Sequence, residues 1–193
     1  MPTRRNELTR QAARLFAEQG YHGTSMEDLA VAMGVQKASL YAHVKSKEDL
    51  LHELARDGAA AFHAALDGID ERLPAVEKLR LALRAHLHVV AEQLDVATVF
   101  VREWRYLEGE RREEFLAERR RYEDRIRTLF REGVEQSELR TDLDVNVAAL
   151  LFLSAANWAY TWLQRGRDTD ALADRFFELL VDGMRGYATP STA

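Results

Sequence analysis

Gln36, Lys37 and Ser39 place an amide, an ammonium and a hydroxyl within four residues. Such groups match the base edges of a DNA major groove, where each base pair shows its own pattern of donors and acceptors. They lie on a short segment, Lys37 to His43, that reads as a helix turning around Leu40. A second short helix precedes it, with Met26, Leu29, Ala30 and Met33 at inward spacing. Gly34 separates the two and supplies a turn conformation that a side chain resists. Ala30 is small enough to let the helices cross closely, and Val35 and Leu40 anchor the second one. Two short helices joined by a glycine turn, behind an earlier helix, form the helix-turn-helix pattern.

The elements that must position these groups are helical throughout. Leu8, Ala12, Leu15 and Phe16 form one stripe of a first helix over about 4–19, stopped by Gly20. The run Thr24-Ser25-Met26-Glu27 reads as a capping box, with the threonine hydroxyl accepting from the backbone three residues on. Ser46 opens a long helix through Leu50, Leu51 and Leu54 to about Leu66. Pro74 suits a first helical turn, and Val76, Leu79, Leu83, Leu87, Val90 and Leu94 trace the apolar face that follows. Further helices are predicted over about 96–107, 110–136, 144–164 and 170–187. The expectation is an all-α chain of about nine helices. A three-helix DNA-binding domain spans 1–46, and a helical ligand-binding and dimerisation domain spans 47–193.

Composition agrees. Three prolines and ten glycines in 193 residues leave little room for a turn-rich β fold. Cysteine is absent, which excludes disulfides and thiolate metal sites. The basic start has no apolar run behind it and no apolar segment is long enough to span a bilayer. A cytoplasmic protein without a membrane partner is expected. Residues 1–47 hold seven basic and four acidic side chains, net +3, which leaves −8 for the remainder of a chain of formal charge −5. A basic head on an acidic body can meet phosphate at one end only.

The ordered set Gly23-Thr24-Ser25-Met26-Glu27-Asp28-Leu29-Ala30, Met33-Gly34-Val35-Gln36-Lys37-Ala38-Ser39-Leu40-Tyr41 and Ser46-Lys47-Glu48-Asp49-Leu50-Leu51 resembles the signature of the TetR family over about residues 4–51. The resemblance implies that Gln36, Lys37 and Ser39 approach bases. It also implies that Thr24, Ser25, Tyr41, His43 and Lys47 belong to the contact set. Their hydroxyls, phenol, imidazole and ammonium are suitable phosphate donors. Three positions depart from the commonest pattern. Ala42 replaces a usual aromatic, Val44 a usual phenylalanine, and Ala38 a frequent glycine. These changes bear on base preference, not on fold.

For the body, the resemblance implies that the last two helices pair with those of a second copy. Val147, Leu151, Phe176, Leu180 and Met184 are the candidate interface residues. An isologous dimer would read a palindromic operator. The resemblance also implies a small-molecule chamber, with Phe100, Trp104, Phe115, Tyr122, Trp158 and Trp162 as candidate walls and Arg105, Arg125 and Arg165 as candidate anion partners. The same aromatics at helical spacing also read as plain core, and the arginines as helix-stabilising surface. Asn157-Trp158, Trp162 and Arg165 are similar to family members that sense acyl-coenzyme A thioesters. A phenylacetyl or medium-chain acyl group would suit a compact aromatic chamber. The expected mechanism is a population shift, in which ligand binding favours a form that no longer fits the operator and frees the genes for its degradation.

Three rival readings differ in class or ligand. For an enzyme, His86 and His88 are two apart on a helix and make a poor metal pair, and neither a phosphate loop nor a nucleophile elbow is present. Neither metal nor cofactor is expected. A helical interaction module without DNA binding would lack steep salt dependence. A repressor of efflux genes induced by a hydrophobic drug would want carboxylates in its chamber rather than arginines.

Overall fold

The computed structural model describes residues 3–163, 168–182 and 184. Among them the chain is all-α, with nine α-helices and no strand. In order these are α1 (Arg4–Gln19), α2 (Met26–Met33), α3 (Lys37–Leu40), α4 (Lys47–Asp67), α5 (Ala75–Glu92), α6 (Leu94–Arg102), α7 (Gly109–Glu135), α8 (Val145–Asn157) and α9 (Thr169–Asp182). Short 3-10 turns, Glu103–Tyr106 and Trp158–Thr161, follow α6 and α8. Among the described residues no helix is long and apolar enough to cross a membrane.

The chain packs as two compact units, neither continuous in sequence. The first joins Met1–Ala61 to Gln93–Arg119, and the second joins Phe62–Glu92 to Arg120–Ala193. Helices α4 and α7 are long enough to belong to both. In the first unit α1 packs on α2 and α6. Its core gathers Leu8, Phe16, Leu29, Leu40, Leu51 and Phe115 with their neighbours. In the second unit α5 packs on both α8 and α9. Leu79, Leu83 and Leu87 of α5 are fully buried there, as are Phe130 and Phe152 with their rings edge-to-face. Arg84 of α5 pairs with Asp170 and Asp174 of α9, so that contact is fastened by charge as well as apolar area.

Four boundaries differ from the sequence expectation. The N-cap of α2 is Ser25, not Thr24. The threonine hydroxyl turns inward and donates to the carbonyls of Leu15 and Gly20, which removes it from capping. Ser25 Oγ accepts from the Asp28 N–H while the Asp28 carboxylate accepts from the Ser25 N–H, so the box is closed one residue later, with aspartate in the glutamate role. The α-helical part of α3 ends at Leu40 rather than His43, because the next carbonyl-bound N–H groups, those of His43 and Val44, both return to Leu40. The apolar run ending at Leu94 is broken after Glu92, and Leu94 opens α6. Helix α8 stops at Asn157 and tightens into a 3-10 turn, where a longer helix was expected.

Replacing Ser25 with Ala removes the bond from the Asp28 N–H to Ser25 Oγ and leaves the one from the Ser25 N–H to the Asp28 carboxylate, and an N-cap hydroxyl of this kind is worth about 1 kcal/mol. In a chain of this size the midpoint of thermal unfolding should fall by about 2–4 °C. An unchanged midpoint by circular dichroism would mean that α2 is held by packing alone.

Candidate functional site

The outer surface of α3 is built from the glycine turn outward. Gly34 has φ +64° and ψ +34°, the left-handed conformation, and its N–H caps the carbonyls of Ala30 and Val31. The Val35 N–H then returns to the Ala30 carbonyl at 3.0 Å. This sharp reversal starts α3 with Gln36 as its N-cap residue. Leu40 and Val44 are buried in the first unit's core and hold one side of the segment. Gln36, Lys37, Ser39, Tyr41 and His43 are all exposed on the other side. Tyr41 keeps 51% of its surface open, although it is one of the larger side chains of the unit. Ser25, at the start of α2, is exposed as well.

Thr24 and Lys47 are placed differently from these six. Thr24 is 1% exposed with its hydroxyl committed as described. The Lys47 ammonium donates to the carbonyls of Tyr21 and Thr24, each at 2.7 Å, and lies 4.1 Å from the centre of the Tyr21 ring. Burial holds its pKa below the usual lysine range. The Lys47 side chain ties the loop before α2 to the start of α4, and that of Thr24 ties it to the end of α1.

Behind α3 the same unit is braced by ion pairs. Arg5 binds Glu53 and donates to the His43 carbonyl, and the Thr9 hydroxyl donates to Glu53 at 2.6 Å. Burial alone would raise Glu53, but the bonds from Arg5 and Thr9 outweigh it and hold the carboxyl below its usual range. Arg111 of α7 grips Asp49 and Glu48 in the first turn of α4. These pairs line a polar recess of about 540 Å³ that also takes in Tyr41, His43 and Lys45.

The candidate chamber residues fall in both units. In the first, Trp104 stacks on Phe115 at 5.4 Å and Phe100 meets the same ring edge-on at 5.1 Å. Arg105, Arg112 and Arg119 each set a guanidinium 5.7 Å from the Trp104 ring. Phe115 also forms part of a cleft of about 650 Å³ between α4 and α7, which includes Arg56, Asp57, Glu114 and Glu118. In the second unit Tyr122 is buried, and Arg125 pairs with Asp67 at 2.8 Å. Trp158 is 62% exposed, and Trp162 rests 5.8 Å from the Phe176 ring. Arg165 lies outside the described residues. Of the candidate interface residues, Val147 and Leu151 of α8 are exposed and Phe176 and Leu180 of α9 are half-buried. Met184 is buried, with its carbonyl accepting from the Arg140 N–H. Among the described residues no His, Asp and Glu cluster is arranged to hold a metal ion.

One side chain has a place that the sequence reading missed. His86 of α5 is buried, its Nδ1 is 3.1 Å from the Tyr122 hydroxyl, and its ring packs 4.5 Å from Phe62. Its Nε2 is buried without a hydrogen-bond partner among the described residues. The signal was available: His86 interrupts the apolar stripe of Leu79, Leu83, Leu87 and Val90, where a polar residue needs a reason.

Two family profiles match the chain. One, described as bacterial regulatory proteins of the tetR family, covers residues 8–54. The other, described as a tetracyclin repressor-like C-terminal domain, covers 72–184. The fatty acid metabolism regulator protein of Bacillus subtilis is 29% identical, with 90% of this chain and 91% of that protein aligned. The crystal structure of the TetR family regulator PfmR from Thermus thermophilus superposes with a TM-score of 0.86 at 33% identity, covering 96% of this chain and all of that one. AibR, solved in complex with isovaleryl coenzyme A and operator DNA, superposes with a TM-score of 0.81 at 30% identity, covering 92% and 97% of the two chains.

Burial lowers the pKa of His86 from 6.5 to about 3. The unfolded chain therefore takes up this proton first as the pH falls. The contribution of neutral His86 to stability is complete above pH 6.5 and is lost progressively down to about pH 3. Between pH 7 and 5 that loss amounts to about 2 kcal/mol. Urea denaturation at the two pH values should show His86→Phe less acid-sensitive than the parent by about this amount. Equal sensitivity would show that His86 is already solvated in the folded chain.

Proposed function

The chain belongs to the TetR family of bacterial regulatory proteins, and we propose that it represses transcription as a twofold dimer and leaves its operator when an acyl-coenzyme A thioester binds. The observation that carries the DNA-binding part is the outward polar face of α3, locked from behind by Leu40 and Val44. Gln36, Lys37 and Ser39 read base edges, while Ser25, Tyr41 and His43 take phosphates and set the register. Thr24 and Lys47, whose donors are used internally, act by fixing the loop and helix start from which those groups project.

Dimerisation through α8 and α9 is supported by their exposed apolar side chains. Val147, Leu150 and Leu151 lie open on α8, and Leu179 on α9 is 79% exposed. Apolar groups gathered on consecutive helices mark an interaction surface. Two identical heads then face two half-sites of a palindrome. The thioester part is supported by the likeness to AibR, which binds isovaleryl coenzyme A and operator DNA, and to a regulator of fatty acid metabolism. The guanidinium groups about Trp104 suit the phosphates of the nucleotide end. Helix α4 carries side chains of both compact units, so a ligand that displaces its second half acts on the head through continuous backbone.

A second reading rests on the cleft beside Phe115. Asp57, Glu114 and Glu118 line it, and carboxylates beside an aromatic ring suit a hydrophobic cation.

The test is a gel shift on DNA flanking the chain's own gene, with an acyl-coenzyme A series, free coenzyme A and a cationic dye as competitors. Release by thioesters and not by free coenzyme A is expected. Release by the dye alone would establish the second reading instead. Tyr41→Phe should weaken operator binding about three- to tenfold, the worth of one phosphate hydrogen bond. Full affinity in that variant removes Tyr41 from the contact set. Leu151→Glu buries a charge at the proposed dimer seam, so sedimentation should show monomers of otherwise unchanged helicity. A dimeric Leu151→Glu protein would place the seam elsewhere.

A further inference from the structure

The buried pair of His86 and Tyr122 has one hydrogen-bonding group too many for the described residues around it. The tautomer follows from counting donors. The only hydrogen-bond partner of the Tyr122 hydroxyl among the described residues is His86 Nδ1. If Nδ1 carried the proton, the phenolic hydrogen would be left without an acceptor among the described residues. With the phenol donating to Nδ1, that hydrogen is used and the ring proton sits on Nε2. That N–H is buried and meets no acceptor among the described residues. Burial keeps the imidazole uncharged at physiological pH, so what it offers is a neutral donor.

Phe62 covers one side of the imidazole, and its ring also meets Tyr122 edge-on at 5.9 Å. The donor is thus set in an aromatic environment and aimed by a fixed partner. Buried polar groups in folded proteins are paired, and an exception calls for a missing partner. A neutral donor in apolar surroundings is matched by an uncharged acceptor such as a carbonyl. A carboxylate brought to the same place would lose its hydration in exchange for a single neutral hydrogen bond.

We propose that His86 Nε2–H is the recognition point for the carbonyl oxygen of the effector's acyl group, with Tyr122 as the positioning residue that fixes the donor tautomer. The proposal rests on the thioester reading given above. It adds the residue that distinguishes an acyl thioester from a molecule of equal length and greasiness that lacks the carbonyl. His86 is a binding residue here, and no covalent step is involved.

The experiment compares octanoyl-coenzyme A with S-octyl coenzyme A, a thioether of the same chain length without the carbonyl. Each is titrated by calorimetry into the full chain and into His86→Phe, and operator affinity and thermal midpoint are recorded for both proteins. The parent should bind the thioester roughly three- to tenfold more tightly than the thioether, the range of one hydrogen bond. His86→Phe should bind the two alike, with operator affinity unchanged. This chemical double-mutant cycle isolates the pair from general packing losses. Tyr122→Phe keeps the ring and frees the tautomer, and the thioester preference should fall while the thioether affinity stays the same. It also serves as the informative variant if His86→Phe does not fold.

A parent that binds the two compounds equally overturns the inference. So does a preference that survives intact in both variants, the result expected if an ordered water, rather than the effector, satisfies Nε2. If the parent binds no coenzyme A ester at all, the thioester reading falls and this inference falls with it. In the two preceding outcomes only the assignment of His86 is lost.

Discussion

A helix of four residues cannot hold itself. Nucleating a helical turn costs more backbone entropy than its few hydrogen bonds return. The α3 segment of this chain therefore depends on Leu40 and Val44, which are buried among residues of α1, α2 and α4. Every polar group on the outer side of α3 takes its direction from that attachment. Gly34 completes the arrangement, since its left-handed backbone lets α3 begin one turn after α2 ends.

Charge fixes what packing leaves loose in the same unit. Glu53 is satisfied by Arg5 and Thr9, and Arg5 also holds the His43 carbonyl just after α3. Lys47 and Glu103 do the same for the loop before α2, Lys47 through two carbonyls and Glu103 by accepting from the Tyr21 N–H at 2.8 Å. Half-buried pairs and charge-assisted bonds to backbone are worth more than open surface ion pairs, because water competes for them less. The outer side of α3 is thus exposed while the groups beneath it are not.

The second unit solves a different problem. Its α5 helix is buried along most of one side and still carries a histidine there. An apolar residue at position 86 would strand the Tyr122 hydroxyl, so the imidazole serves that phenol and leaves its own second nitrogen as a buried donor. The same unit leaves leucines of α8 and α9 in contact with solvent. A chain that buries a polar ring and exposes leucines has inverted the usual placement at both points, and both inversions lie in the residues matched by the C-terminal domain profile.

Much of this was legible in the amino-acid order. Helical periodicity, glycine stops and small polar caps depend on neighbours within about four residues, so the nine helices and the helix-turn-helix follow from local chemistry. The exposure of Gln36, Lys37, Ser39, Tyr41 and His43 also follows, since Leu40 and Val35 leave only one side of a short helix free. What local order does not contain is who meets whom between one helix and another. Thr24 reads as a cap, yet the fold brings the Leu15 carbonyl to its hydroxyl, and Lys47 reads as a phosphate contact, yet its ammonium also meets the Tyr21 and Thr24 carbonyls. Trp158 and Trp104 are the same residue type at similar helical positions, yet one is largely exposed and the other stacks on Phe115. His86 and Tyr122 are thirty-six residues apart, and nothing in either neighbourhood announces the other. Sequence by itself determined the elements and their polar and apolar sides, because those are set by backbone geometry and short-range contacts. The tertiary structure alone decided which polar groups are spent inside and which remain available, because that depends on partners supplied by distant helices.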